Sequence, residues 1–165
     1  DTYLITDNIS REYKVRATRG SFTSPDSNAD AVSIPAQVTG LTLTHQGAGV
    51  VLVSWTDVSG IETGYEIEYS PNGSTGWTNV GSTPANDTSE LLALAENATS
   101  HIRVRAIGDS PGAWSDVASI AIPAAPSSLG ATYLGSGEIL LMWDDNATNE
   151  TAQRLEYSTN GTSWS

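Results

Sequence analysis

The 165-residue sequence has no cysteine, one lysine, two histidines, one phenylalanine and one methionine. Without cysteine, disulfides, zinc–thiolate sites and cysteine nucleophiles are excluded. Cations are scarce: one Lys and six Arg stand against 19 acids, which sets the net charge at −12. Such a surface repels phosphate backbones and anionic lipid headgroups, so no nucleic-acid partner is expected. No apolar run approaches the ~20 residues of a membrane-spanning helix. The longest, GVVLVSW at 49–55, is strand-sized, and no membrane insertion is expected in this segment.

What is present is a repeat. VLVSWTDVSGIETGYEIEYSPNGSTGW (51–77) aligns with ILLMWDDNATNETAQRLEYSTNGTSW (139–164). Trp55 matches Trp143, Ile67 matches Leu155 and Tyr69 matches Tyr157, each pair 88 positions apart. A second match joins NISREYKVRA (8–17) to NATSHIRVRA (97–106), and Pro35 matches Pro123. The second match is offset by 89 and the prolines by 88, so the period is about 88 residues with one complete copy, at 35–123. Residues 1–34 match the C-terminal half of a preceding copy, and 124–165 the N-terminal half of a following one.

Within a copy the apolar period is two. VVLVSW points Val51, Val53 and Trp55 to one face; YEIEY turns Tyr65, Ile67 and Tyr69 inward and two glutamates outward. HIRVRA buries Ile102, Val104 and Ala106 and exposes Arg103 and Arg105. This alternation predicts half-buried antiparallel strands, and turn clusters such as HQGAG, PNGSTG and GDSPG separate them as in a β-sandwich. ELLALAEN (90–97) is the only helical contender. The matching TYLITDN (2–8) reads as a strand, and decides for β.

These motifs resemble the fibronectin type III domain of bacterial and archaeal extracellular proteins. PAQVTGLTLT (35–44) stands for strand A, Trp55 in VSW for strand B and GYEIEYS for strand C; RVRA (103–106) stands for strand F and AWSDVASIAIP (113–123) for the last strand. The resemblance covers the whole chain and implies all-β, tandem immunoglobulin-like sandwiches, one complete and two partial. The tyrosine of the family's tyrosine corner is replaced by Arg11 and Ser100. The expected core includes Trp55, Trp143, Tyr69, Tyr157, Ile67, Leu155, Val104 and Val15. Trp77 and Trp164 follow an Asn-Gly turn, and Trp114 is expected to begin the final strand. Packing accounts for these three tryptophans, with a sugar-binding platform as the sharper alternative.

Chemistry is hard to find. GDSPG (108–112) has a passing likeness to a serine-nucleophile segment, but only His45 and His101 could act as a base, and a Gly-Pro turn explains it. Asp144 and Asp145 open a loop rather than face each other across a cleft, and they match no recognisable calcium loop. RGS (19–21) reads as a plain turn. No catalytic, metal or cofactor residue is expected, and the chain is read as not an enzyme.

One pattern exceeds chance. Seven of nine Asn begin Asn-X-Ser/Thr: Asn8, Asn72, Asn86, Asn97, Asn146, Asn149 and Asn160. Random placement would give about two such sequons. Turn chemistry favours the same residues, so the two readings are N-glycosylation and loop structure.

The sequence thus points to an extracellular or cell-surface structural segment of a long filament, stalk or adhesin. Its expected partners are itself or further copies of the repeat, with covalent glycans. The alternatives are a spacer in a secreted polysaccharide-degrading enzyme and a phage tail or fibre component. The two half-copies fit a window on a longer array, which is the favoured reading, or subunits that complete each other by strand complementation.

Overall fold

The period-two segments form strands wherever a neighbouring strand pairs with them, whether or not a second sheet covers one face. In a computed structural model, residues 8–165 are described. The strand expected over 2–8 lies outside them, apart from Asn8. Thirteen strands follow in order among the described residues, with no helix. They are β1 (Ile9–Tyr13), β2 (Thr18–Arg19), β3 (Phe22–Thr23), β4 (Asp30–Ile34), β5 (Thr39–Gly47), β6 (Val50–Thr56) and β7 (Gly64–Ser70). Then come β8 (Thr78–Pro84), β9 (Ser89–Ala93), β10 (Ala98–Ile107), β11 (Ala118–Ile122), β12 (Ser127–Gly135) and β13 (Glu138–Asp144). The ELLALAEN stretch accordingly supplies a strand, β9.

The chain divides into two compact units: Asp1–Leu94 with Thr99–Ile120, and Ala95–Ala98 with Ala121–Ser165. The first takes in both the 9–34 segment and most of the complete copy.

The complete copy is a sandwich of a three-stranded sheet, β5-β6-β9, and a four-stranded sheet, β11-β10-β7-β8. Every pairing whose register is given is antiparallel. Val51 and Val53 on β6, Ile67 on β7, and Ile102, Val104 and Ala106 on β10 are fully buried; Trp55 and Tyr65 are nearly so. Each large apolar side chain so buried contributes roughly 1.5–3 kcal/mol. Trp55 and Tyr65 meet with ring centroids 5.3 Å apart. Tyr69, at the end of β7, is only half-buried. This order of strands, with all-β composition, is that of fibronectin type III sandwiches.

The 9–34 segment forms a two-stranded ladder, β1 with β4, and a short β2–β3 hairpin. β1 stops at Tyr13, whereas its counterpart β10 runs on to Ile107. The cause is pairing: β10 lies between β11 and β7, while among the described residues β1 pairs with β4 alone. Val15, expected in a core, is 73% exposed.

In the second unit β12 pairs with β13. The expected strand at RLEYS does not form, and 152–157 have no regular structure. Trp143, Leu155 and Tyr157 were expected in a core and are instead 41%, 60% and 70% exposed. Their counterparts at 55, 67 and 69 lie beneath or beside strands β7–β10, and among the described residues nothing occupies those places here.

Candidate functional site

Alternation along β10 sends Arg103 and Arg105 to the outer face of the four-stranded sheet, opposite Glu68 and Glu66 on β7. Opposite charges facing across a ladder attract. Arg103 Nη2 lies 2.6 Å from Glu68 Oε2, and Arg105 Nη2 lies 2.6 Å from Glu66 Oε2. The guanidinium of Arg103 covers the rings of Trp77 at 4.1 Å and Trp114 at 4.2 Å, and that of Arg105 covers Trp114 at 4.2 Å. Each such contact is worth about 0.5–1 kcal/mol or more when desolvated. Burial pushes the Glu66 carboxyl up, but hydrogen bonds from Asn79 and Arg105 and the charges of Arg105 and Arg103 outweigh it. The carboxyl is held below the usual range.

Trp114 does not begin the last strand, since β11 starts at Ala118. The residue after it extends the sheet instead. Ser115, buried, accepts from Val104 N–H through Oγ at 3.0 Å, and its own N–H donates to Val104 O at 2.9 Å. Trp77 and Trp114, offered as a sugar platform, stack on guanidinium groups. Trp164, in the second unit, is 61% exposed.

A second constellation ties β4 to the loop 108–112, both in the first unit. Asp109 Oδ2 accepts from Ser33 N–H at 2.9 Å and from Ser33 Oγ at 2.8 Å. Ser110 N–H donates to Ser33 O at 3.1 Å. A Cβ on Gly112 would stand 2.7 Å from Pro35 O, so a side chain there would displace backbone. The GDSPG segment is therefore a seam between the 9–34 ladder and the complete sandwich. Asn8, at φ 60°, joins the same seam: its N–H donates to Ile34 O at 2.6 Å, and its Oδ1 accepts from Ser59 Oγ at 3.2 Å.

The second unit repeats the device. Asn97, at φ 56°, donates N–H to Ile122 O at 2.7 Å. Its Oδ1 accepts from Thr148 N–H at 2.8 Å and Thr148 Oγ1 at 2.9 Å. Asn8 and Asn97, and Ile34 and Ile122, are repeat equivalents. Asparagine tolerates the left-handed conformation better than most residues, and its side chain reaches the neighbouring loop.

The other sequons differ in what their amides do. Asn72 Oδ1 accepts from Ser74 and Thr75 N–H, both at 2.9 Å, and its Nδ2 donates to Thr75 Oγ1. Asn160 Oδ1 makes the same turn with Thr162 and Ser163. Asn146 Nδ2 donates to Ala125 O and Ser127 Oγ. Half-buried Asn149 gives Nδ2 to Ile122 O at 3.2 Å and Ala98 O at 3.4 Å. Asn86, exposed at φ 65° between β8 and β9, makes no side-chain bond to any described residue. Its nitrogen, the atom that takes a sugar, is open.

No hydrogen bond or ion pair among the described residues joins His45, His101, Ser110, Asp144 or Asp145 to one another. His45 is exposed on β5, and His101 is half-buried on β10 with its ring against Gly73. Asp145 Oδ1 accepts from Ala147 N–H, a turn that Asp57 repeats with Ser59. Ser33, Asp109 and Ser115 escaped sequence reasoning. Their only signal was the turn-like composition of the segments that hold them.

No protein-family model and no curated protein matches the sequence. Solved structures do. A segment of two fibronectin type III domains from chicken tenascin superposes with a TM-score of 0.51 at 14% identity, over 68% of this chain and 64% of that one. The FN1–FN3 domains of chicken CNTN1 give 0.49 at 18% identity, over 73% and 43%. The sixth fibronectin type III domain from human fibronectin type III domain containing protein 3 gives 0.47 at 23%, over 56% and 91%. The chain thus spans less than two thirds of either multi-domain segment. Together with the strand order of the complete copy, the tenascin likeness shows an all-β fold of the fibronectin type III kind.

Proposed function

We propose that this chain is a non-catalytic structural repeat segment of a long extracellular filament, stalk or adhesin, with N-linked sugars on its loops. Domains of this fold are commonly structural modules of extracellular proteins. The observation that carries the reading is the seam at Ser33 and Asp109 together with the Asn8 contact, whose form recurs at Asn97. A binding loop is selected for reach and variety. Here the loop 108–112 and the two asparagines are spent on holding one copy to the next, as a spacer requires. The repeat boundaries at 34/35 and 123/124, the cell-surface location and the glycans belong to this proposal.

Its test is the denatured mass of the native polypeptide before and after chemical deglycosylation, with peptide mapping. Repeat peptides, no catalytic module and a fall in mass on deglycosylation support it. A catalytic module in the same polypeptide, or a mass that deglycosylation leaves unchanged, contradicts it.

A further inference from the structure

Alternation along β5, β6 and β9 sends every second side chain out of the three-stranded sheet, away from the core of the complete copy. Register places Thr42, Ser54 and Ser89 in one row across the sheet, and Thr44, Leu52 and Leu91 in the next. Val50 and Ala93 continue the face. None of these side chains is charged, in a chain whose net charge is −12. Leu91 is 58% exposed. The acid of β9, Glu90, pairs with Val53 and so points the other way. The second sheet of the same sandwich is the opposite in character. Its outer face holds Glu66, Glu68, Arg103 and Arg105, closed into ion pairs. In the second unit, Thr132 and Leu140 pair with each other and hold the places of Thr44 and Leu52, again without charge.

We propose that the outer face of the β5-β6-β9 sheet is an interface for a second copy of this chain, which lays the same face against it. Charge selects this occupant. Two chains of net charge −12 repel each other. Contact through identical uncharged faces sets no like charges opposite one another, whereas most other pairings cost that repulsion. Sheets pack face to face at ~10 Å through rows of side chains of this kind, and Leu52 and Leu91 supply the apolar area removed from water. The contact is isologous, with one patch serving on both sides. It is also small. Three strands of about five residues give a footprint of roughly 250 Å², against the ~800 Å² per partner of a standard interface. One face therefore binds weakly, and a partner that carries the same repeat gains by engaging more than one. This assembly goes beyond the spacer reading, and its failure would leave that reading standing.

The test is sedimentation equilibrium of the full chain from micromolar to millimolar concentration, beside three lysine variants. Leu91→Lys and Thr44→Lys each place a charge on the face, at opposite edges of the sheet. Ser82→Lys is the control, since Ser82 is exposed and pairs with Glu66 on the other sheet. Each lysine lowers the net negative charge equally, so general repulsion falls by the same amount in all three. Thermal melting checks folding, and Thr44→Lys carries the test if Leu91→Lys melts early. The parent and Ser82→Lys should rise above the monomer mass as concentration grows. Both face variants should associate roughly tenfold or more weakly, because an ammonium must lose its water there. A parent that stays monomeric up to millimolar concentration overturns the proposal. So do face variants that associate as the parent does, and a control that weakens as much as they do.

Discussion

Trp55 and Trp143 hold the same address in the repeat, yet one is 5% exposed and the other 41%. Pattern reading reports which way a side chain points, and does so for both. It does not report whether a strand is present to cover it. The difference has an energetic consequence. Trp55→Ala should cost about 3–5 kcal/mol, because it leaves a cavity between two sheets. Trp143→Ala should cost clearly less, on the order of 1 kcal/mol, because its ring is already partly exposed and it gives up little more than its bond to Gln153. Urea unfolding at low protein concentration measures both.

Titration provides a second test at the residue scale. The Glu66 carboxyl is held below its usual range in the folded state. It therefore adds stability above the ordinary carboxylate pKa, and that contribution is lost as pH falls through its lowered value. Glu66→Gln should remove this part of the acid-side decline. Tyr65 behaves in the opposite sense. Burial, then a hydrogen bond with Asp57 and the negative charges of Glu62, Asp57 and Asp87, pushes its phenol up. Its contribution is complete below pH of about 10 and lost as pH rises further. Tyr65→Phe should flatten the alkaline decline; urea unfolding across pH reads this change and that of Glu66→Gln.

At the scale of elements, lengths are set by neighbours as much as by sequence. VRA occurs in both 15–17 and 104–106, but only the second lies in a strand, because β7 pairs with it. EYS occurs at 68–70 and 156–158, and again only the first is in a strand. The complete sandwich was therefore legible in the alternation, while the two partial copies were legible as sequence and not as structure. The seam was not legible. GDSPG reads as a turn, and Ser33 lies 76 residues before its partner Asp109. Asp109→Ala leaves the buried Ser33 N–H and hydroxyl without their acceptor, at a cost of about 1–3 kcal/mol to the local contact. Hydrogen exchange should show the Ser33 and Ser110 amides opening roughly tenfold or more faster, as such a cost implies. Amides of β7 and β10 should keep their protection. Equal loosening in both places would contradict the seam.

For the whole molecule, the repeat and the fold class were readable because an 88-residue period survives in apolar positions. The two compact units were not readable, since packing of the 9–34 ladder onto the complete copy depends on loop contacts. Loop geometry also separates the sequons, which look alike in sequence. Asn86 presents a free amide, whereas Asn149 donates its own to two main-chain carbonyls. Glycopeptide mass spectrometry of the native protein should find sugar at Asn86 and none at Asn149; the reverse would contradict this sorting. The central claim, a structural repeat working outside the cell, is tested most directly by antibody labelling of intact and permeabilised source cells. The account predicts label on intact cells that externally added protease removes. Label that appears only after permeabilisation would contradict it.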